Sequence, residues 1–184
     1  MSERRRQAKR EAADAASPDA PLAIRAAIRA DVPRVWEMVH ELADFERLDH
    51  EITGSAAALE QHLFGEPAKV ECLVAESGGT LSGYALYYPT YSSFATAPMM
   101  WLEDLYVTPA VRGRGAGRAL IAEVARRAVA RGCRRLGWIV LDWNQPSIGF
   151  YQSLGARPAG PGWLQYGFDE ATLRAVAGKS GARG

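Results

Sequence analysis

The sequence predicts a mixed-sheet α/β (α+β) domain, and three observations support this fold class. The chain of 184 residues, 48% hydrophobic and 23% charged, is long enough for one domain with a proper core. Strand-like and helix-like apolar patterns alternate along most of it. The predicted order, β-α-α-β-β-β-α-β-α-β, contains both adjacent strands and strands separated by helices, which favours a mixed sheet flanked by helices.

The first half of the chain predicts a strand, two helices and three further strands. Asp31 and Pro33 are typical of a helix start, as cap and first-turn residue. Gly65 and Pro67 end the second helix, and the Ser-Gly-Gly-Thr segment at 77–80 is typical of a hairpin turn. In chain order the predicted elements are a strand over 22–28, helices over 31–45 and 55–64, and strands over 70–75, 81–88 and 101–107.

The second half alternates helices and strands. Gly132 and Gly155 each end a helix, Asn144 and Pro146 begin one, and Asp169 caps a short C-terminal helix. The predicted elements are a helix over 116–129, a strand over 136–141, a helix over 146–154, a strand over 163–168 and the C-terminal helix.

The domain occupies residues 21–178 between two tails. Residues 1–20 are rich in Arg, Ala and Asp without apolar periodicity, so we expect a disordered basic tail, and 179–184 a flexible one. The two cysteines, Cys72 and Cys133, are too few for a disulfide framework, and both are expected in the core. Because no segment is typical of a signal peptide or a membrane span, we expect a cytoplasmic protein.

Charge is unevenly distributed although the net charge is only +1. Residues 37–51 carry six acidic side chains against Arg47, and residues 112–135 carry eight arginines against Glu123. Solvated helix faces explain either patch alone. Together, an acidic and a basic patch on one small domain suggest two ligands of opposite charge. The small net charge gives no field that favours nucleic acid, so no nucleic-acid partner is expected.

A glycine-rich turn between a predicted strand and a predicted helix is the most informative segment. Glycines allow close backbone approach, and the first turn of a helix offers unpaired N–H groups, so this turn predicts a phosphate cradle. The acidic residue of a dinucleotide fingerprint and the Gly-Lys-Ser/Thr of a P-loop are both missing. The residues predicted to form the cradle are Arg112, Gly113, Arg114, Gly115, Ala116, Gly117 and Arg118.

A second motif at 142–151 follows a predicted strand and enters a helix. With the cradle, it resembles the GCN5-related N-acetyltransferase (GNAT) superfamily, whose pyrophosphate motif is matched by Arg112-x-x-Gly115-x-Gly117. The second family motif is matched by Asn144, Ser147, Phe150 and Tyr151. The resemblance extends over about 22–177 and implies the GNAT fold, with a central mixed, mostly antiparallel sheet.

Finer features resemble the diamine and polyamine branch of this superfamily, and most of all its members that act on thialysine and similar lysine analogues. In that branch Phe-Glu replaces the Tyr-Glu of polyamine enzymes, as Phe45-Glu46 do here. The segments that carry this resemblance are 41–48, 87–91, 102–105 and 141–144. It implies a homodimeric enzyme that uses no metal and moves the acetyl group of acetyl-CoA to a primary amine of a small cationic acceptor.

The resemblance also implies residue roles. The backbone of Leu105, Tyr106 and Val107 would hold the pantetheine arm, and Asn144 and Ser147 would reach the cofactor as well. Tyr151 matches the general acid that protonates the departing thiolate, whose free pKa is about 8.5.

Glu103 matches the carboxylate that faces the amine. Removing a proton from a lysine-like ammonium at pH 7 costs about 4–5 kcal/mol, so a base or a water path is needed. Glu46, Glu103 and Asp104 are candidates, and Asp142 is a weaker one. Strand alternation predicts that Glu103 and Asp104 face opposite sides of the sheet. Phe45, by packing or a cation–π contact, and Glu46, by charge, would grip the distal part of the acceptor.

One departure concerns the acceptor. Polyamine enzymes carry acids before the Gly-Trp near the C-terminus, whereas the stretch before Gly162-Trp163 has none here, which favours an amine shorter than spermidine or spermine. Aminoglycosides and protein amines remain alternatives, because this superfamily changes acceptors readily. A non-catalytic acyl-CoA-binding module and an acetyltransferase guided to nucleic acid by the basic tail are further alternatives.

Overall fold

A computed structural model describes residues 21–158, 160 and 166–179. It divides into two compact units, Met1–Ile139 and Val140–Gly184. The predicted tail at 1–20 and the last five residues, 180–184, lie outside the described residues.

The first unit contains a five-stranded sheet in the order β1-β2-β3-β4-β5. The first four strands pair antiparallel, and β4 pairs with β5 in parallel, which confirms the mixed, mostly antiparallel sheet. The strands are β1 Leu22–Ala26, β2 Glu71–Ser77, β3 Thr80–Ser92, β4 Ala97–Val107 and β5 Leu136–Gly137. The helices of this unit are α1 Val32–Glu46, α2 Ala56–Phe64 and α3 Ala116–Ala130.

Helices α1 and α2 cover one face of the sheet. Val35 and Met38 of α1 pack with Tyr84 of β3 and Tyr106 of β4 in one buried cluster. Val35, Met38 and Tyr84 have no measurable exposure, and burying a side chain of this kind contributes about 1.5–3 kcal/mol. This packing holds the N-terminal half of α1 against Tyr84 of β3 and Tyr106 near the end of β4.

Helix α3 covers the opposite face. Its Arg127 donates to the hydroxyl of Tyr87 at 2.9 Å, and Tyr87 alternates with the residues of β3 that face α1. A Cβ on Gly83 would lie 2.7 Å from the carbonyl oxygen of Tyr106 and 3.4 Å from Cδ1 of Leu120. Glycine at this position therefore allows β3 to lie close to both β4 and α3.

The helix starts follow the sequence prediction with one difference. The helix predicted over 55–64 is observed as α2, and Ser55 is its cap, because the Ser55 hydroxyl accepts the N–H of Ala58 at 3.2 Å. Asp31 is the residue before α1, but its carboxylate does not cap that helix. It accepts the N–H of Ile28 at 2.8 Å and pairs with Arg25 at 2.6 Å. The Arg25 guanidinium lowers the pKa of Asp31.

The strand predicted over 136–141 is wrong in length. β5 spans only Leu136–Gly137, paired with Met100 and Trp101 of β4. The apolar residues after Gly137 carry a strand-like pattern, but they have no ladder beside β4, and Ile139 is 64% exposed. The ladder between β4 and β5 therefore ends early.

A β-bulge interrupts the pairing of β3 with β4. Leu86 pairs with Asp104 and Tyr87 pairs with Leu102, which leaves Glu103 as one extra residue in β4. A bulge of this kind bends the strand and redirects side chains, and bulges are common beside active sites.

The second unit contains two helices, α4 Gln145–Ser153 and α5 Glu170–Lys179. Asn144 caps α4 by accepting the N–H of Ser147 at 3.2 Å, and Asp169 caps α5 by accepting the N–H of Thr172 at 2.7 Å. The strand predicted over 163–168 is wrong for 166–168, which form no regular element, and 163–165 lie outside the described residues. Tyr166 is 88% exposed, so its apolar ring has no strand-like packing.

Cysteine placement agrees in part with the prediction. Cys72 is buried in the core, whereas Cys133 is half-buried after α3, and both are free thiols. Within the described part of the chain, no helix has the length and apolar character needed to cross a membrane.

Candidate active site

The glycine-rich turn forms an open cradle in front of α3. Gly113 and Gly115 have φ values of 80° and 90°, in the left-handed region that favours glycine. A Cβ placed on either residue would meet no heavy atom within 4 Å, so glycine is favoured here by its backbone conformation and not by crowding. The first N–H groups of an α-helix have no intrahelical acceptor and lie at the positive end of its dipole. The cradle, residues 112–118, therefore suits a phosphate group.

The arginine that opens the cradle is turned toward α1. Its Nε donates to the carbonyl oxygen of Val107 at 2.9 Å. The guanidinium carbon of Arg112 lies 5.3 Å from the ring centre of Phe45 and 5.7 Å from that of Tyr106. Both distances are within the range of a cation–π contact. The predicted residues Phe45 and Arg112, which are far apart in sequence, are thus in contact, while Arg114 and Arg118 are exposed.

The strand that leads into the cradle has one side without a strand partner. β4 pairs with β3 along its whole length, but with β5 only at Met100 and Trp101. Among the described residues no strand accompanies 102–107 on that second side. The backbone of Leu105, Tyr106 and Val107 therefore offers groups to an extended ligand chain, in the manner of an added strand.

The bulge in β4 brings two carboxylates to one face. Tyr84 donates to Oδ2 of Asp104 at 3.0 Å, and Tyr88 donates to Oε2 of Glu103 at 3.1 Å. These two tyrosines lie on the same face of β3, since they are four residues apart in a regular strand. Nε1 of Trp101 also donates to Oε2 of Glu103, at 3.0 Å. The expectation of opposite faces was therefore wrong, because alternation fails at a bulge.

Asp104 binds protons more tightly than an ordinary aspartate. Burial raises the pKa of its carboxyl to about 6, the hydrogen bond from Tyr84 acts in the opposite direction, and the charges of Glu103 and Glu46 raise it further. Near neutral pH, Asp104 thus lies close to its own titration range.

Glu46 completes an acidic cluster with Glu103 and Asp104. It is half-buried at the end of α1, and burial raises its pKa. Its charge also raises the pKa of Tyr84 and of Asp104, which places it near both. Across the described residues, its carboxylate takes part in no hydrogen bond or ion pair. A partly desolvated carboxylate without a partner favours a cationic ligand.

Three further residues around the acidic cluster were missed by sequence reasoning as site residues. They are Tyr84, Tyr88 and Trp101, the hydrogen-bond donors to its carboxylates. Tyr84 and Tyr88 are four residues apart, so the alternation of side chains along a strand places them on the same face. Which carboxylates they contact depends on the register of β3 with β4. Within the described chain, no three His, Cys, Asp or Glu side chains are arranged to hold a metal ion.

The second unit carries the remaining predicted residues. Asn144 is 4% exposed, and its side-chain oxygen holds the first turn of α4 through Ser147. Tyr151 is half-buried in the same helix, with its ring centre 5.2 Å from that of Phe150. Asp142, the weaker candidate base, is exposed. The predicted set is thus divided between the two units.

Comparison with known proteins identifies the family of this chain. The sequence model of the acetyltransferase (GNAT) family matches residues 35–156, which include the cradle, the acidic cluster and Tyr151. The chain belongs to the GNAT family. This confirms the resemblance inferred from the two motifs, and the protein is accordingly an N-acetyltransferase enzyme.

Among curated proteins, this GNAT enzyme is 39% identical to thialysine N-epsilon-acetyltransferase of Mus musculus, over 85% of this chain and 97% of that protein. It is 34% identical to spermidine/spermine N(1)-acetyltransferase-like protein 1 of Homo sapiens, over 84% of this chain and 23% of that protein. Among solved structures, an aminoglycoside N-acetyltransferase in complex with CoA matches with a TM-score of 0.67 and 21% identity, over 82% of this chain and 98% of that chain. These matches confirm the predicted polyamine branch and the fold.

Proposed function

We propose that this GNAT enzyme transfers the acetyl group of acetyl-CoA to a primary amine of a small, lysine-like acceptor with a second cationic group. The observation that carries this proposal is the acidic cluster, in which half-buried Glu46 has no hydrogen-bond or ion-pair partner within the described residues. An acceptor ammonium would neutralise this cluster. The second positive charge of a diamine or lysine analogue gives Glu46 a role separate from that of the reacting amine.

The donor side fits acetyl-CoA. The turn at Gly113 and Gly115 leads directly into the first N–H groups of α3, which suit a pyrophosphate. The unpaired side of β4 at Leu105, Tyr106 and Val107 suits the pantetheine arm. Arg114 and Arg118 are exposed at the cradle and can add positive charge. Bound acetyl-CoA supplies an activated thioester, and the residues of this chain orient it.

In the proposed reaction the amine attacks the thioester carbonyl carbon directly. The new C–N bond forms as the C–S bond breaks, and the amine proton passes to Glu103, directly or through water. Glu103 is held by Tyr88 and Trp101, so its free oxygen has a fixed direction. Tyr151, proposed from its match to the family motif, protonates the CoA thiolate. Asn144 and Ser147 stay proposed cofactor contacts on the same ground.

The acceptor class is proposed from the relatives. A protein named for thialysine acetylation matches 85% of this chain at 39% identity. The absence of acids before Gly162-Trp163 favours a short acceptor over spermidine and spermine. The homodimer and the cytoplasmic location stay predictions.

A turnover screen tests the proposal. Acetyl-CoA consumption would be followed with thialysine, lysine, ornithine, putrescine, spermidine and an aminoglycoside. Thialysine or another short acceptor with two ammonium groups should have the highest kcat/KM. Glu46→Gln should raise KM for such acceptors about tenfold and leave KM for a monoamine nearly unchanged. Equal effects on both amine classes would exclude the distal grip, and an aminoglycoside as best acceptor would overturn the proposed acceptor class.

Tyr151→Phe tests the general acid separately. Turnover should fall about 100-fold, because general acid catalysis contributes 10²–10⁴-fold, while the Kd for CoA should change little. Tyr166→Phe, at an exposed tyrosine of the same unit, is the matched control. Unchanged turnover in Tyr151→Phe would remove Tyr151 from the reaction.

A further inference from the structure

Two residues from opposite sides of the proposed reaction are in contact. Arg112 opens the cradle for the donor, and Phe45 stands one residue before Glu46 at the acceptor end of α1. The guanidinium carbon lies 5.3 Å from the Phe45 ring centre. The Phe45 side chain is 40% exposed, so this contact covers only part of the ring.

The contact is part of a connected set. Arg112 is fixed to β4 by its bond to the carbonyl oxygen of Val107 and lies 5.7 Å from the ring of Tyr106. Tyr106 in turn donates to Glu41 at 2.9 Å. Glu41 and Phe45 are four residues apart in α1 and so share one face of that helix. Arg112 and Tyr106 therefore meet α1 at two successive turns.

We propose that Arg112 is a positioning residue that ties the donor cradle to the acceptor end of α1 through Phe45. This rests on the proposed function for the identity of the two ligands. The ring of Phe45 then contacts mainly the guanidinium of Arg112. The positive charge of the acceptor interacts with the acidic cluster instead. Donor affinity depends on Phe45, and acceptor affinity depends on Arg112, because each residue holds the other in place.

The expected size of the effect follows from the contact. A partly exposed cation–π pair contributes enough free energy to change an equilibrium by about two- to fivefold. Loss of the ring in Phe45→Leu should therefore raise the Kd for CoA about threefold, although Phe45 belongs to the acceptor side. Arg112→Lys, which loses the planar group, should raise the acceptor KM about threefold in addition to its effect on CoA.

A double-mutant cycle tests this link. CoA Kd by titration calorimetry and thialysine KM at saturating acetyl-CoA would be measured for Phe45→Leu, Arg112→Lys and the double variant. The double variant should be no worse than Arg112→Lys alone, because the contact is already lost. Phe45→Tyr keeps a ring and should restore the wild-type Kd for CoA. Unfolding midpoints of all variants would separate these effects from loss of stability.

Phe64→Leu is a matched control. Its ring carries an equivalent contact with Arg29, at 5.2 Å, at the end of α2. This variant should leave both the CoA Kd and the thialysine KM unchanged.

Two results would overturn the proposal. One is an unchanged CoA Kd in Phe45→Leu, and the other is a double variant in which the two single effects multiply. CoA titration needs no acceptor, so the donor half of the cycle can be read even if the proposed acceptor class is wrong.

Discussion

The cradle and the acidic cluster lie at the same strand, β4, but they are built by different means. The cradle is made of backbone, with two left-handed glycines and the first turn of α3. The acidic cluster is made of side chains from α1, β3 and β4, joined by hydrogen bonds from Tyr84 and Tyr88. A backbone site is set by one continuous segment, whereas a side-chain site requires the register of three elements.

This difference has a functional meaning. Every acetyl-CoA, the proposed donor, carries the same pyrophosphate, so a site built from the N–H groups of one turn would suffice to hold it. Acceptors differ in length and charge, and the side chains of the acidic cluster can change one at a time without disturbing the cradle. Apart from the contact of Arg112 with Phe45, a substitution in one site should therefore leave the ligand affinity of the other site nearly unchanged.

The largest expected effect is at the acidic cluster. Glu103→Gln should lower kcat about 100-fold, because it removes the proposed base, with little change in the acetyl-CoA KM. Steady-state kinetics at saturating acceptor would measure it. Glu37→Gln, at an exposed acid earlier in α1, should behave as wild type. A large change in the acetyl-CoA KM of Glu103→Gln would mean that the two sites are not separable.

A smaller effect is expected at the cradle. Gly115→Ala should raise the acetyl-CoA KM about tenfold, because an alanine at φ 90° costs about 1–2 kcal/mol and the turn would relax away from its open shape. Its acceptor KM should change much less.

Gly79→Ala is the matched control for the cradle. Gly79 has φ 76° in the β2–β3 turn, again with nothing within 4 Å of an added Cβ. It should lose similar stability in chemical denaturation but keep the acetyl-CoA KM. If both variants changed that KM equally, the cradle would have no special role.

The smallest expected effect concerns the pH dependence of stability. The pKa of Asp104 is raised to about 6 in the folded protein, mainly by burial, so the folded state keeps this proton to higher pH than the unfolded state. The unfolding free energy therefore falls as pH rises from about 4 to about 6. Partial solvent access reduces the contribution to about 1 kcal/mol.

Asp104→Asn should remove this fall. The unfolding free energy of the variant minus that of wild type should be about 1 kcal/mol larger at pH 7 than at pH 4. Urea unfolding of both proteins at both pH values would measure it. Parallel pH profiles for the two proteins would show that Asp104 is not desolvated in the folded state.

The conformation of the glycine-rich turn and the helix start after it could be predicted from the sequence, because both depend on local residues. Gly113 and Gly115 have the left-handed backbone conformation that glycine adopts readily, and α3 begins at Ala116 as predicted. The caps at Asn144 and Asp169 were predicted for the same reason, since each involves residues three positions apart.

The acidic cluster could be predicted only as a set of residues, not as an arrangement. Period-two alternation predicted Glu103 and Asp104 on opposite faces, and no local signal marks the extra residue in β4. The predicted length of β5 was wrong for a similar reason, because the end of β5 depends on where the chain leaves β4. The contact of Phe45 with Arg112 joins segments 67 positions apart in the printed sequence, beyond the reach of any local pattern.

The bulge has one more consequence, which concerns the length of the chain. Leu102 and Asp104 already face the sides that a regular strand would give to consecutive residues, since they pair with the neighbours Tyr87 and Leu86. A chain without Glu103 could keep every other residue of β4 on its present side. The sheet and the core therefore do not require this residue. β4 is one amino acid longer than its ladder needs, and the surplus position is occupied by the proposed base.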